Sequence, residues 1–129
     1  MVEEFDLRRI AILVVEDDPL LLMDAVDMIE DAGFTVYGAR HADQAISLLE
    51  RHDNIRVLFT DIDMPGSMDG LKLAYAVRKR WPPVAIIVAS GHVKVTPEQM
   101  PENGLFFSKP YAPSSIMKAL NSIAASVLG

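Results

Sequence analysis

The sequence predicts an α/β protein built on one doubly wound, five-stranded parallel sheet, and three observations lead there. Five short apolar runs recur along the chain: residues 10–15 (IAILVV), 34–38 (FTVYG), 55–60 (IRVLFT), 84–89 (VAIIVA) and 105–108 (LFFS). Segments with apolar residues at three- and four-residue spacing lie between most of them, as amphipathic helices require. The runs 10–15 and 84–89 are continuously apolar and rich in β-branched residues, the pattern of strands covered on both faces. Strands alternating with helices in this way give a parallel sheet with crossover helices.

Each element has a local reason. After the first run, Asp18-Pro19 supplies an N-cap and a proline at the first helical position. Leu22, Ala25, Val26 and Ile29 then share one face, and Gly33 ends the helix. Residues 34–38 read as a weaker second strand. Residues 42–51 are helical, with Ala45, Ile46, Leu48 and Leu49 apolar. After the third strand, Asp69 reads as the N-cap of a helix marked by Leu71, Ala74 and Val77, with Trp81 packed at its end before Pro82-Pro83. The last helix starts near Pro113 and carries Ile116, Leu120, Ile123 and Val127 on one stripe. Between Ser90 and Lys109 the pattern breaks. Pro97, Pro101 and Gly104 leave little room for a regular helix, so the fourth helix is expected to be short or irregular, or a mobile loop, over residues 91–104. Right-handed crossovers give the flavodoxin-like strand order 2-1-3-4-5, which makes the first and third strands neighbours.

Composition bounds the function. A chain of 129 residues, 50% of them hydrophobic, is one domain with a real core and not a disordered tail. A net charge of -6 argues against direct nucleic-acid binding, which leaves a basic footprint. With no cysteine, disulfides and thiolate metal sites are excluded. The first apolar run is short, preceded by acids and followed by three more, so it is neither a signal peptide nor a membrane span. A cytoplasmic protein with no membrane contact is expected. There is no internal repeat or linker. His41, His52 and His92 are too scattered for a metal cluster, and the methionines read as core filler.

The carboxyl ends of parallel strands share one edge, where ligands bind. Glu16, Asp17, Asp61, Ser90 and Lys109 all sit at or just past such ends. Clustered carboxylates raise one another's pKa unless positive charge intervenes. A divalent cation and the lysine can supply it, so the set points to a metal-dependent phosphate site. Acids at a helix start also suit the macrodipole, and for Asp18 that structural role suffices.

The runs VVEDD and TDIDMPGSMDG, the serine ending strand four and Lys109-Pro110 appear in the order and spacing of one family. Over nearly its whole length the chain resembles the CheY-like receiver domain of two-component response regulators, in a stand-alone form with a shortened fourth helix. The resemblance implies that Asp61 accepts a phosphoryl group from a donor histidine. It implies Mg2+ held by Asp17 and Asp61, by Glu16 through water, and by the backbone carbonyl of Asp63. It puts Lys109, in a cis Lys-Pro peptide, on one phosphate oxygen and the Ser90 hydroxyl on another. Phe106 stands at the family's switch-aromatic position, often Tyr, and offers no hydroxyl. Asp63 and His92 flank the phosphate, where the family tunes hydrolysis. The MPGSMDG loop is one residue longer than the commonest form. Residues 1–129 are then a single receiver domain with residues 1–8 as an N-terminal extension and no output domain. The partners implied are a histidine kinase or histidine phosphotransferase and an unidentified downstream protein. Pairing through the face of the fourth helix, fifth strand and fifth helix is not expected. Such a module catalyses only its own phosphorylation and dephosphorylation. Two alternatives exist. Asp61-Ile62-Asp63 also matches the Asp-x-Asp opening of haloacid-dehalogenase-like phosphatases, but those carry a late acidic pair, and nothing acidic follows Lys109. A phosphorylation-independent receiver-like scaffold would not need the intact acceptor set.

Overall fold

In a computed structural model of the chain, described over residues 6–64 and 68–128, five strands form one sheet in the order β2-β1-β3-β4-β5. The strands are β1 Ala11–Val15, β2 Thr35–Ala39, β3 Ile55–Asp61, β4 Ala85–Ser90 and β5 Leu105–Ser108, and every pairing is parallel. The helices are α1 Pro19–Asp31, α2 Ala42–Arg51, α3 Gly70–Arg80 and α4 Pro113–Leu128. The flavodoxin-like fold and strand order are those expected. The ladders of β3 and β4 run one residue further than the apolar runs, so Asp61 and Ser90 are themselves strand residues. None of the described helices is long and apolar enough to cross a membrane.

Side chains alternate between the two faces of a strand, and both faces are covered here. On one side Ile12, Val14, Val57, Phe59 and Ile87 pack against Ile29 of α1 and Ile116, Leu120 and Ala124 of α4. On the other, Leu13, Val15, Leu58, Ile86 and Val88 meet Ala45 and Leu49 of α2 and Leu73, Ala74 and Val77 of α3. This double burial is why the central runs read as continuously apolar. The Asp18 carboxylate accepts from the amides of Leu20 and Leu21, and Asp69 accepts from Lys72 N, both as the caps require. At α2 the cap is His41, whose Nδ1 accepts from Gln44 N at 3.2 Å. Trp81 caps the carboxyl end of α3 and packs on the core.

Residues 91–104 contain only a 3-10 turn at Pro97–Gln99. The segment is irregular, as expected, but it is anchored. Met100 is buried among the α2/α3-face residues, Val95 packs against the same core, and the Tyr75 hydroxyl donates to the Gln99 carbonyl at 2.6 Å. The methionine expectation holds for Met64 and Met100 and fails for Met23, which is 58% exposed on α1 beside exposed Leu20 and Leu21. Of the expected N-terminal extension, residues 1–5 lie outside the described residues. Leu7–Arg9 form a 3-10 turn, Leu7 packs against the α1/α4-face core, and Thr35 Oγ1 donates to the Arg8 carbonyl. The extra residue of the MPGSMDG loop falls at 65–67, outside the described residues as well.

Gly70 fixes how closely α3 approaches the end of β3. Its N–H donates to the Ile62 carbonyl at 3.0 Å. A Cβ at this position would overlap the Asp61 carbonyl oxygen and lie 2.9 Å from Ile62 Cα. These are backbone atoms and cannot swing away. Gly70→Ala must therefore push α3 off the sheet edge, with an expected loss of about 3 kcal/mol, at the upper end of overpacking penalties. Denaturant titration measures it, and a midpoint unchanged from wild type would show that the helix start yields freely.

Candidate functional site

Four strand ends build the site. Glu16 and Asp17 directly follow β1, Asp61 closes β3, Ser90 closes β4 and Lys109 follows β5. Adjacent β1 and β3 pair Val15 with Thr60, which carries Glu16 alongside Asp61. Backbone bonds extend the ladders past the strands and stiffen the edge. Glu16 N donates to Ala39 O, Ile62 N to Ala89 O, and Lys109 N to Ser90 O, at 2.9–3.1 Å. Lys109-Pro110 is cis. The Lys109 ammonium lies 3.1 Å from Glu16 Oε2 and 3.4 Å from Asp61 Oδ2.

The charges are held nearly out of water, with Glu16 8% and Asp61 7% exposed. Burial pushes the Glu16 carboxyl up, repulsion from Asp61 adds to it, and the Asp18 amide and Lys109 offset only part. Burial likewise raises Asp61 against the opposing charge of Lys109. For Lys109 burial acts downward, but Asp61 and Glu16 together outweigh it and hold the ammonium above its ordinary value. One lysine therefore leaves this edge short of positive charge. Carboxylate oxygens of Glu16, Asp17 and Asp61 lie within 4.8 Å of one another. An all-oxygen, all-carboxylate donor set suits a hard divalent cation such as Mg2+.

The sequence-derived residues thus come together, with two differences of detail. Ser90 is not free: its hydroxyl donates to Asp63 Oδ2 at 2.9 Å and accepts from His92 N and Val93 N. Asp63 was expected to act through its carbonyl, yet its carboxylate is engaged and its N–H donates to Asp61 Oδ1 at 3.4 Å. Phe106 is partly buried against the α2/α3-face core.

Sequence reasoning missed three contributors. Arg40 donates from its guanidinium to the Asp17 carbonyl at 3.1 Å, while Gln44 Oε1 accepts from Arg40 N, tying the end of β2 to the acidic turn. An arginine after a strand gives no signal of this. Gly70 sets the α3 approach, and the Asp-Gly pair before the Leu71 helix was a readable hint. Beside the acids, a groove of about 720 Å³ lies between α1 and the start of α4, lined by Leu21, Ala25, Met28, Phe59 and Tyr111. Tyr111 leans on Phe59 with ring centroids 5.8 Å apart. The run PLLLM, too apolar for a single buried stripe, was its trace in the sequence.

The raised carboxylates fix a pH dependence. A carboxyl with a raised folded pKa binds its proton more readily folded than unfolded, so its contribution is fully present in acid and lost as pH rises through the raised value. In metal-free buffer near neutral pH the ionised Asp61 therefore works against folding. Asp61→Asn should be more stable than wild type there, and the gap should close as pH falls toward the ordinary carboxylate range. Denaturant unfolding of both proteins across that range measures it. A wild type more stable than the variant at neutral pH contradicts the charge balance described.

Comparison with known proteins places this edge. Residues 12–121 match the family described as "Response regulator receiver domain". The chain is 35% identical over 83 residues to the nitrogen assimilation regulatory protein NtrX of Azorhizobium caulinodans, a match covering 63% of the chain and 18% of that protein. It is 28% identical over 87 residues to the sensor protein TorS of Escherichia coli, covering 67% of the chain and 9% of that protein. The chain thus spans less than a fifth of the length of either relative. A response regulator receiver protein from Sinorhizobium medicae superposes with a TM-score of 0.82 at 26% identity, over 90% of this chain and 94% of that one. The match over most of the chain and the shared fold make this protein a member of the response regulator receiver domain family, a signalling module of two-component systems.

Proposed function

We propose that the chain takes a phosphoryl group on Asp61 from a phosphohistidine of a histidine kinase or histidine phosphotransferase, and signals by changing what it binds or by passing the group on. The observation that carries this is the Asp61 carboxylate, 3.4 Å from the Lys109 ammonium and within reach of Glu16 and Asp17, at the end of a rigid central strand. A carboxylate oxygen of Asp61 attacks phosphorus; the P–O bond forms as the P–N bond to the donor imidazole breaks, leaving an acyl phosphate and a free histidine. Asp17 and Asp61 would hold Mg2+ directly, with Glu16 acting through water and the Asp63 carbonyl completing the set. Mg2+, when bound, neutralises charge on the transferring oxygens. Lys109 exchanges its Asp61 contact for a phosphate oxygen. Ser90 turns its hydroxyl to another, and Phe106 responds at the neighbouring strand.

The groove suits the donor domain. It opens next to Asp61 and is walled by α1, which carries Asp24, Asp27, Glu30 and Asp31 and no basic residue. A helical surface with an apolar ridge and a basic rim complements it and holds the donor histidine over Asp61. A net charge of -6 supports a protein partner and no direct contact with nucleic acid. A kinase donor places the encounter in the cytoplasm.

Two measurements test the reading. With Mg2+ and a small phosphodonor the protein should gain one phosphoryl group by mass spectrometry, and Asp61→Asn none. Lys109→Ala should slow uptake about a hundredfold, the scale of losing one charge-stabilising group. Uptake by Asp61→Asn equal to wild type defeats the acceptor assignment, and sustained turnover of a phosphate ester would favour the phosphatase alternative. Separately, Mg2+ at a hundred times its dissociation constant should add about 2.7 kcal/mol of stability, because it binds only the folded chain. Asp17→Ala should abolish most of that gain and Glu16→Ala less. A gain that survives Asp17→Ala excludes Asp17 as a direct ligand.

A further inference from the structure

The Ser90 side chain has no hydrogen-bonding capacity to spare. A serine hydroxyl carries one proton and two lone pairs. Ser90 is 2% exposed, its proton goes to Asp63 Oδ2 at 2.9 Å, and its oxygen accepts from His92 N at 3.2 Å and Val93 N at 2.9 Å. A phosphoryl group on Asp61 offers only acceptor oxygens. Ser90 therefore cannot serve it without first releasing Asp63.

We propose that the Asp63 side chain is a resting-state latch, a resident acceptor that holds the Ser90 hydroxyl until a phosphoryl group on Asp61 competes it away. The competition rests on the phosphoryl reading above; the resting hydrogen bond does not. Three features support the latch. Asp63 lies two residues beyond Asp61 and its N–H donates to Asp61 Oδ1, so latch and acceptor share one short loop. A carboxylate is a strong acceptor for a hydroxyl and must be matched by the incoming group. Ser90 also holds the first amides of the segment leading from β4 to β5, so turning its hydroxyl disturbs the contacts that keep residues 92 and 93 in place. The segment runs on to Gln99, which Tyr75 grips from α3. Release at Ser90 thus loosens one end of a segment pinned at the other, giving two arrangements that a ligand can bias.

Amide exchange at His92 and Val93, read by NMR on the unphosphorylated protein, tests the resting arm. Asp63→Asn keeps a weaker, neutral acceptor and should exchange between wild type and Asp63→Ala. Asp63→Ala should exchange about tenfold faster, the loss of roughly one charge-assisted hydrogen bond. In a Ser90→Ala background, Asp63→Ala should add nothing. Equal exchange in Asp63→Ala and wild type, or additive effects in the double variant, overturns the latch. Fluoroberyllate with Mg2+ tests the competition. Both Asp63 variants lose a negative charge, which alone favours the anionic probe. Only Asp63→Ala also frees Ser90, so it should bind about tenfold more tightly than Asp63→Asn, and the gap should vanish on Ser90→Ala. Equal affinity of the two variants reduces Asp63 to simple charge and overturns the competition. Failure of the probe to bind wild type, with exchange as expected, removes the phosphoryl reading and the competition with it, leaving the hydrogen bond as fixed structure.

Discussion

One ammonium group holds the carboxyl edge of this sheet together. The strand order makes β1 and β3 neighbours, so Glu16 and Asp61 cannot avoid each other, and both are more than nine-tenths buried. Lys109 reaches them from beyond β5, across the end of β4, and contacts both. The offset is incomplete, because both carboxyls stay raised. Unpaired buried charge is among the more expensive things a fold can carry. Here the two apolar faces of the sheet, filled by residues such as Leu13, Leu58, Ile87 and Leu120, hold the edge in its unfavourable state. A site able to hold a cation must be kept short of positive charge by the rest of the molecule.

Much of this was legible in the sequence, for physical reasons that also mark where legibility ends. Central strands buried on both faces leave continuous apolar runs, and Asp-Pro and Asp-Gly steps announce caps at Asp18 and Asp69, so elements and order could be read directly. The convergence of Glu16, Asp17, Asp61, Ser90 and Lys109 followed from a rule about parallel sheets, and their chemistry was sharpened by family resemblance. Partners of individual side chains did not follow. That Ser90 donates to Asp63, that Arg40 reaches the Asp17 carbonyl, and that His41 caps α2 through a ring nitrogen all depend on rotamers and loop paths that no periodicity encodes. Strand ends were short by one residue because Asp61 and Ser90 are polar and break the apolar run that marked their strands.

The connection from β4 to β5 is where the fold departs from regularity. Parallel neighbours need a crossover of a dozen residues or more, normally a helix. Residues 91–104 supply the length, but Pro97 and Pro101 deny them a helix. Met100 and Val95 cover part of the α2/α3 face as a helix stripe would, without a helix's internal ladder of backbone bonds. Segments with few backbone bonds and few buried contacts open at low free energy. Among the described residues, this connection lacks the ladder of a packed crossover helix, and it runs from Ser90 to the start of β5, next to Phe106.

On the phosphoryl reading proposed for Asp61, the energy that a switch requires limits what any single contact can do. Moving a two-state element from about 1:99 to 99:1 takes roughly 5.5 kcal/mol of differential stabilisation. Exchanging one hydrogen-bond partner of Ser90 for another supplies the difference between two charge-assisted bonds, each worth only about 1.5–3 kcal/mol net. The hydroxyl alone leaves both arrangements populated. On that same reading a complete shift needs a second contribution, and Lys109 is placed to supply it: it pairs with two raised carboxylates and would turn to the stronger anion of a phosphoryl group on Asp61. Lys109 N also donates to the Ser90 carbonyl, so movement of either side chain is felt by the backbone of the other. Acting together across that shared bond, the ammonium and the hydroxyl can reach a total that neither reaches alone, and the loop at residues 92–99 is the element soft enough to follow.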